Sequence, residues 1–403
     1  MLRSNLLALF AGAAAAMGVF AAARAGAGVP PSAEQPAYDA AAISALVRQL
    51  GDASFRAREV ATRRLIQVGA PAKAELLKAL DSPDAEIRYR ARLVLGDVLE
   101  SDWRERLREF IEDDVGAREH DLPGWQRFRQ QMGETTASRR LFAEMQRNEP
   151  ALLEAADLGV EQAGITFDDR CQQLQEAMRL PGRQPERQAS IGSIAALLFV
   201  GADSHVPINA QSAMYVTNFC GQQPFRQAAA GGETAVALKK LIGAWVQRDF
   251  GSDSPAMAQT LMLALQLNIS EALEPAHAII NDAGSSPHMR QFAILIVGRF
   301  GGPDDVGRLE PLLSDEAICA QQQLPQNADP TQVAKPQVIE TQVRDVALAV
   351  SVHLTGQKLA DYGFTRAQPN ATYLYNTATL GFTQPADRDT ALSKWRSWRA
   401  DQK

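Results

Sequence analysis

Four segments of this chain carry one short pattern: a small or apolar residue, an arginine, two spacers and an alanine. They are Ala57-Arg58-x-x-Ala61, Ile87-Arg88-x-x-Ala91, Met289-Arg290-x-x-Ala293 and Val343-Arg344-x-x-Ala347. The first two stand at an offset of 30 residues, which also sets Leu50 on Leu80 and Leu65 on Leu95. Between them, "GAPAKAELLKAL" reads as a helix opened near Pro71, where a missing N–H costs nothing. It ends at "DSPD", a turn whose Asp and Ser can cap the helix that follows. The unit is therefore a first helix, a tight turn, and a second helix carrying the Arg. One such unit cannot bury its apolar face alone, so copies must stack on one another.

The unit returns late in the chain. "SSPHMRQFAILIVGRFGG" has a Ser-Pro turn before its Arg290 and a Gly pair after it. "SPAMAQTLMLALQLN" is a degenerate copy at an offset of 32, with Ala258 in place of the Arg, and "EALEPAHAIINDAG" is the first helix between the two. "PDDVGRLEPLLSDE" reads as a further first helix begun by Pro303, with "TQVRDVALAVSVHLTG" as its partner. Residues 319–336, rich in Gln and Pro, separate them as a polar insertion expected to loop into solvent.

These residues resemble the HEAT-repeat family, whose units are antiparallel helix pairs with an Asp-containing turn and a Val-Arg-x-x-Ala pattern. The resemblance is clear over residues 41–100 and 254–356, and the repeats here are shorter than the family's usual ones. It implies an all-α fold, an α-solenoid of stacked antiparallel helix pairs, with Arg58, Arg88, Arg290 and Arg344 as a structural ladder. Physical reasoning assigns those arginines the same role, because a guanidinium on the second helix can satisfy turn acids or terminal carbonyls of a neighbouring pair.

The expected organisation places HEAT-like repeats at 41–100 and 251–356, an atypical helical segment at 101–250, and a cap at 357–403. In the middle, "ASIGSIAALLFVGA" is so uniformly apolar that it must be a fully buried helix. In the cap, "DYGF" and "LGF" read as turns that tuck an aromatic inward, and "QPADRDTALSKWRSWRADQ" as a closing helix begun by Pro385 and Asp387. Such an ending hides the apolar face that a last repeat leaves exposed.

Residues 1–25 have the layout of a secretory signal peptide: Arg3, an uncharged run from Leu6 to Ala23, and small-residue cleavage patterns around Ala25. A retained anchor is the alternative, disfavoured because the run is rich in Ala and Gly. A linker, 26–40, follows. Cleavage removes Arg3 and Arg24 and no acid, taking the net charge from −6 to −8. An acidic exported chain does not suit a nucleic-acid backbone, which demands a basic excess, nor an anionic lipid surface. The cysteines Cys171, Cys220 and Cys319 are too widely spaced for a metal knuckle. Either two of them pair, or all three are separate thiols.

Motifs for nucleotide, zinc and nucleophilic-serine chemistry are missing from the sequence. Asp203, Ser204 and His205 are adjacent, too close in sequence for triad geometry, and Asp203 and Ser204 are expected to cap a helix that starts near Pro207. His277 and His288 fall on different helices. Trp125, and the pair Trp395 and Trp398 interleaved with Lys394, Arg396 and Arg399, are the aromatic candidates for a binding surface. The competing reading of the pair is a seal on the last repeat. No catalytic, cofactor-binding or metal-ligating residue is assigned. The expectation is thus an exported, non-enzymatic scaffold binding a protein or peptide in the cell envelope. One alternative is an enzyme or a cofactor- or pigment-handling protein with a site in the middle segment around Asp203, His205 and Cys220. The other is a polysaccharide-binding surface.

Overall fold

The computed structural model describes residues 38–179, 189–324 and 337–402. The expected signal peptide, linker residues 26–37 and insertion residues 325–336 lie outside them. The chain is mostly helical and divides into two compact units at Trp125.

In the first unit, α1 (Ala40–Gln49), α2 (Phe55–Val68), α3 (Lys73–Ala79) and α4 (Ala85–Glu112) form two helix pairs. The starts of α1, α2 and α4 are explained by side-chain caps at Asp39, Ser54 and Asp84. Asp39 accepts from the Ala42 N–H at 2.7 Å, and Asp84 from the Glu86 N–H at 2.8 Å. A 3₁₀ turn, Ala70–Ala72, holds Pro71 ahead of α3. The first helices α1 and α3 pack together, as do the second helices α2 and α4. Repeat-equivalent positions are buried alike, with Ala61 and Ala91, and Leu65 and Leu95, wholly inaccessible. The second helix α4 runs to Glu112, past the expected repeat boundary at residue 100, because "WRERLREFIE" continues without a breaker.

The second unit is assembled around one helix. It begins at Gln126, within α5 (Trp125–Met132), and continues with α6 (Thr136–Asn148), α7 (Pro150–Leu158) and α8 (Val160–Arg179). The helix α9 (Ile191–Gly201) follows, and every residue from Gly192 to Gly201 is buried. Around it, α6, α7 and α8 are joined by α10 (Ala210–Cys220), α11 (Gln223–Ala230) and α12 (Ala235–Val246). Two glycines permit that packing. A Cβ on Gly192 would strike the Glu144 carbonyl of α6 and come within 2.7 Å of Asn148. One on Gly201 would lie 2.6 Å from the Trp245 ring and 2.8 Å from Phe167.

Next come α13 (Pro255–Leu267), α14 (Leu273–Asn281) and α15 (Pro287–Phe300). The single α-helical turn α16 (Val306–Leu309) precedes α17 (Val343–Leu354). The second helices pack in succession, α10 on α13, α13 on α15, α15 on α17, while α14 packs on α15 and α16. The first helix expected from Pro303 is mostly 3₁₀, since Pro311 cannot continue an α-helix.

The chain is not purely α. The start of the polar insertion, expected as a solvent loop, lies in strand β1 (Ile318–Leu324), which pairs antiparallel with β2 (Gln337–Gln342) just beyond the insertion's end. Their Ile, Val and Thr content favours strand over helix. A second short pair, β3 (Pro369–Asn370) and β4 (Leu374–Tyr375), lies in the tail. The closing helix α18 (Pro385–Asp401) is fastened to α17 by a buried bidentate ion pair, Arg388 to Asp345 at 2.7 and 3.0 Å. Burial pushes the Asp345 carboxyl up, and Arg388 pulls it back towards the ionised form.

Replacing Gly by Ala inside an ordinary helix gains up to about 1 kcal/mol. At Gly192 the sign should reverse, with Gly192→Ala losing about 1–3 kcal/mol by overpacking. Gly96→Ala on α4, where nothing lies within 4 Å of an added Cβ, should gain stability. Urea titration of the two variants checks this opposition.

Candidate functional site

The ladder arginines serve the turns. Arg88 donates to the carbonyls of Ser82 and Pro83 at 2.7 and 2.9 Å, and Arg58 to those of Asp52 and Ala53 at 2.7 and 3.2 Å. Arg290 donates to Ser285 and Ala283. These carbonyls belong to the turn before the arginine's own helix, not to a neighbouring pair as expected. Two arginines also reach forward: Arg58 lies 3.0 Å from Glu86, and Arg290 pairs with Asp315. Arg344 differs because β2 feeds directly into its helix, and it bonds the Gln342 side chain and Glu316 at 2.7 and 2.8 Å.

Trp125 and Trp395 do not offer a binding surface, since each is only 1% exposed. Trp125 meets Phe110 edge-on at 4.8 Å, and Trp395 packs between Tyr362 and the half-buried Trp398. Their rings are spent on packing.

Asp203 is not a helix cap. Asn209 caps α10, and Asp203 instead folds the 201–206 turn, accepting from the His205 N–H at 3.0 Å. Desolvation pushes its carboxyl up, but the His205 N–H and ring and Arg127 together hold it below the usual range. Arg248 stitches the same turn through the carbonyls of Gly201, Asp203 and Val206. His205 is exposed while Cys220 is completely buried, so they do not present themselves to one ligand. All three cysteines are free, and burial pushes the Cys171 and Cys220 thiols far up and that of Cys319 up to about 12. His277 stands 3.0 Å from Asp305, and His288 packs on Phe292. Among the described residues no three His, Cys, Asp or Glu side chains gather as for a metal.

A different place is open. Gln259, Met262 and Gln266 repeat along one face of α13, and Asn218 and Gln222 face them from α10 and the turn after it. Together with Thr217 they line a groove of about 340 Å³. Among the described residues no ionisable side chain lines it. The Gln259 Oε1 is buried without a hydrogen-bond partner among the described residues. Gln222 reaches the Met178 sulfur, and Gln266 donates to the Tyr373 hydroxyl at 3.0 Å. A primary amide both donates and accepts, so a row of them matches the alternating N–H and C=O of an extended peptide. Being uncharged, it escapes the cost of stripping water from an ion. Sequence reasoning missed the groove because Gln and Asn at helix-surface spacing look like an ordinary solvated face.

Farther along the same helix row, the chain covers itself. Strands β1 and β4 pack on α15. Leu374, at φ 65°, lays its side chain where Gly298 leaves room. Tyr375 next to it meets His353 Nδ1 at 3.2 Å, and burial pushes the His353 pKa below its usual 6.5.

Replacing Arg88 by Ala should cost about 1–3 kcal/mol, since it strands two turn carbonyls; a urea midpoint equal to that of the unmodified protein would place the side chain in free water. The depressed His353 pKa gives a second expectation. The unfolded chain takes up this proton near pH 6.5 and the folded chain only at lower pH, so stability is lost as pH falls below 6.5. In His353→Gln the urea midpoint should fall less between pH 7 and pH 5.5.

No protein-family model matches this chain, and no curated protein matches it.

Proposed function

We propose that this chain is an exported, non-enzymatic α-solenoid scaffold that binds a protein or peptide partner in the cell envelope. The observation that carries the reading is the amide-lined groove between α10 and α13, which among the described residues is uncharged and leaves the Gln259 carbonyl at its wall without a partner. Such a groove holds main chain by hydrogen bonds and needs no reaction chemistry. The solenoid reading is supported by the recurring Arg-x-x-Ala unit and by second helices that pack in series, an arrangement that offers long continuous faces. Export rests on the signal-peptide layout of residues 1–25. No helix among the described residues is long and apolar enough to cross a membrane. The acidic balance of the chain disfavours nucleic acid as the partner.

Site-directed photo-crosslinking in the native envelope tests the assignment. A benzophenone side chain at Asn218 or Gln266 should yield a discrete crosslinked partner, and one at the exposed Gln227 outside the groove should not. Gln259→Leu should weaken capture by about fivefold, the worth of one hydrogen bond. Equal crosslinking at Gln227, or none at either groove position, would reject the groove as the contact.

A further inference from the structure

The two aromatic turns of the tail, "DYGF" and "LGF", converge. Gly363 takes a left-handed φ of 81° and ends the 3₁₀ turn Leu359–Tyr362. Gly381 passes so close to β2 that a Cβ would lie 2.7 Å from the Glu340 carbonyl. Only glycine serves either position well, and together they bring the Phe364 and Phe382 rings to 4.8 Å. Between these turns and the first three turns of α18 opens a cleft of about 470 Å³, within the usual size range for small-ligand sites.

The cleft combines charges of both signs with hydroxyls over an aromatic base. The carboxylates of Asp361 and Asp387 lie on its exposed rim. Lys394 is held in place, donating to the Asp361 carbonyl at 2.7 Å and lying 5.0 Å above the Tyr362 ring. Arg366 is anchored through Nη2 to Gln322, while its Nη1 is buried without a partner among the described residues. Thr365 and Thr383 add exposed hydroxyls.

This set selects against most ligand classes. A phosphate or carboxylate would face two acids, and a polyamine would face Lys394 and Arg366. A purely apolar ligand would strip water from four charges and return no hydrogen bond. A ring bearing several hydroxyls meets every requirement: each hydroxyl donates to a carboxylate or accepts from a cation, and the ring's C–H face lies on the aromatic base. We propose that this cleft binds a neutral carbohydrate unit, at a site separate from the amide groove and independent of its function.

The test uses the full chain with glucose, galactose, mannose, N-acetylglucosamine and their disaccharides, followed by saturation-transfer NMR and calorimetric titration. At least one sugar should bind saturably. Asp387→Asn and Arg366→Met should each weaken it by about tenfold or more, the worth of a hydrogen bond to a charged group. Gln266→Ala in the other groove should leave it unchanged. Asp387 is exposed at the start of α18, so its variant keeps the test valid if loss of Arg366 disturbs the fold. The proposal is overturned if no sugar shows saturation transfer. Binding indifferent to Asp387→Asn, or displacement of the sugar by inorganic phosphate or spermidine, overturns it as well.

Discussion

Much of the second unit depends on how closely its neighbours approach α9. That helix has no polar face, and six helices surround it. Burying it requires backbone-to-backbone contact at Gly192 and a ring seated on Gly201, where Trp245 and Phe167 stack 6.5 Å apart. Gly164 on α8 makes the same allowance for the Pro207 carbonyl. Interiors are packed at crystal-like density, so three methyl groups at these points would have nowhere to go without shifting whole helices. The stitching of the 201–206 turn by Arg248 follows from this arrangement: the buried helix ends at Gly201, and one guanidinium takes the Gly201 carbonyl together with those of Asp203 and Val206 in the turn that follows.

Beyond α9, the row of second helices meets two fates. At α15 and α17 the chain covers its own surface with strands, a left-handed Leu374 and the closing helix α18. The Arg388–Asp345 pair fixes that cover, and its value lies in geometry as much as energy, since a buried pair repays its desolvation only when both charges keep all their partners. At α10 and α13 no such cover is present among the described residues, and the exposed face is amide-rich. Covered and open stretches thus lie side by side on one helix row. The Gln266–Tyr373 bond marks where one gives way to the other.

The repeat arginines changed meaning in a similar way. A charged residue next to the buried Ala91 looks anomalous until the turn before its helix is considered. Ser82 and Pro83 end the turn with carbonyls that no helix N–H can reach, and Arg88 spans back to both. Arg58 and Arg290 do the same and add an acid from the next pair.

Local order was legible in the sequence. The cap at Asp84, the buried helix at 191–201, the closing helix begun by Pro385 and the inward aromatics of the tail all follow from periodicity and turn chemistry acting over a few residues. What required the tertiary structure was every choice between faces. A helix-spaced Gln is equally compatible with solvent and with a groove, and only the neighbour opposite decides; Gln259 faces Asn218 because α10 lies beside α13. Trp125 and Trp395 were compatible with exposure until Phe110 and Tyr362 closed over them. The strands β1 and β2 needed each other, since a ladder is a bond between segments and not a property of either one. Sequence patterns act at the range of one turn of helix, whereas burial and pairing are decided by residues tens of positions away.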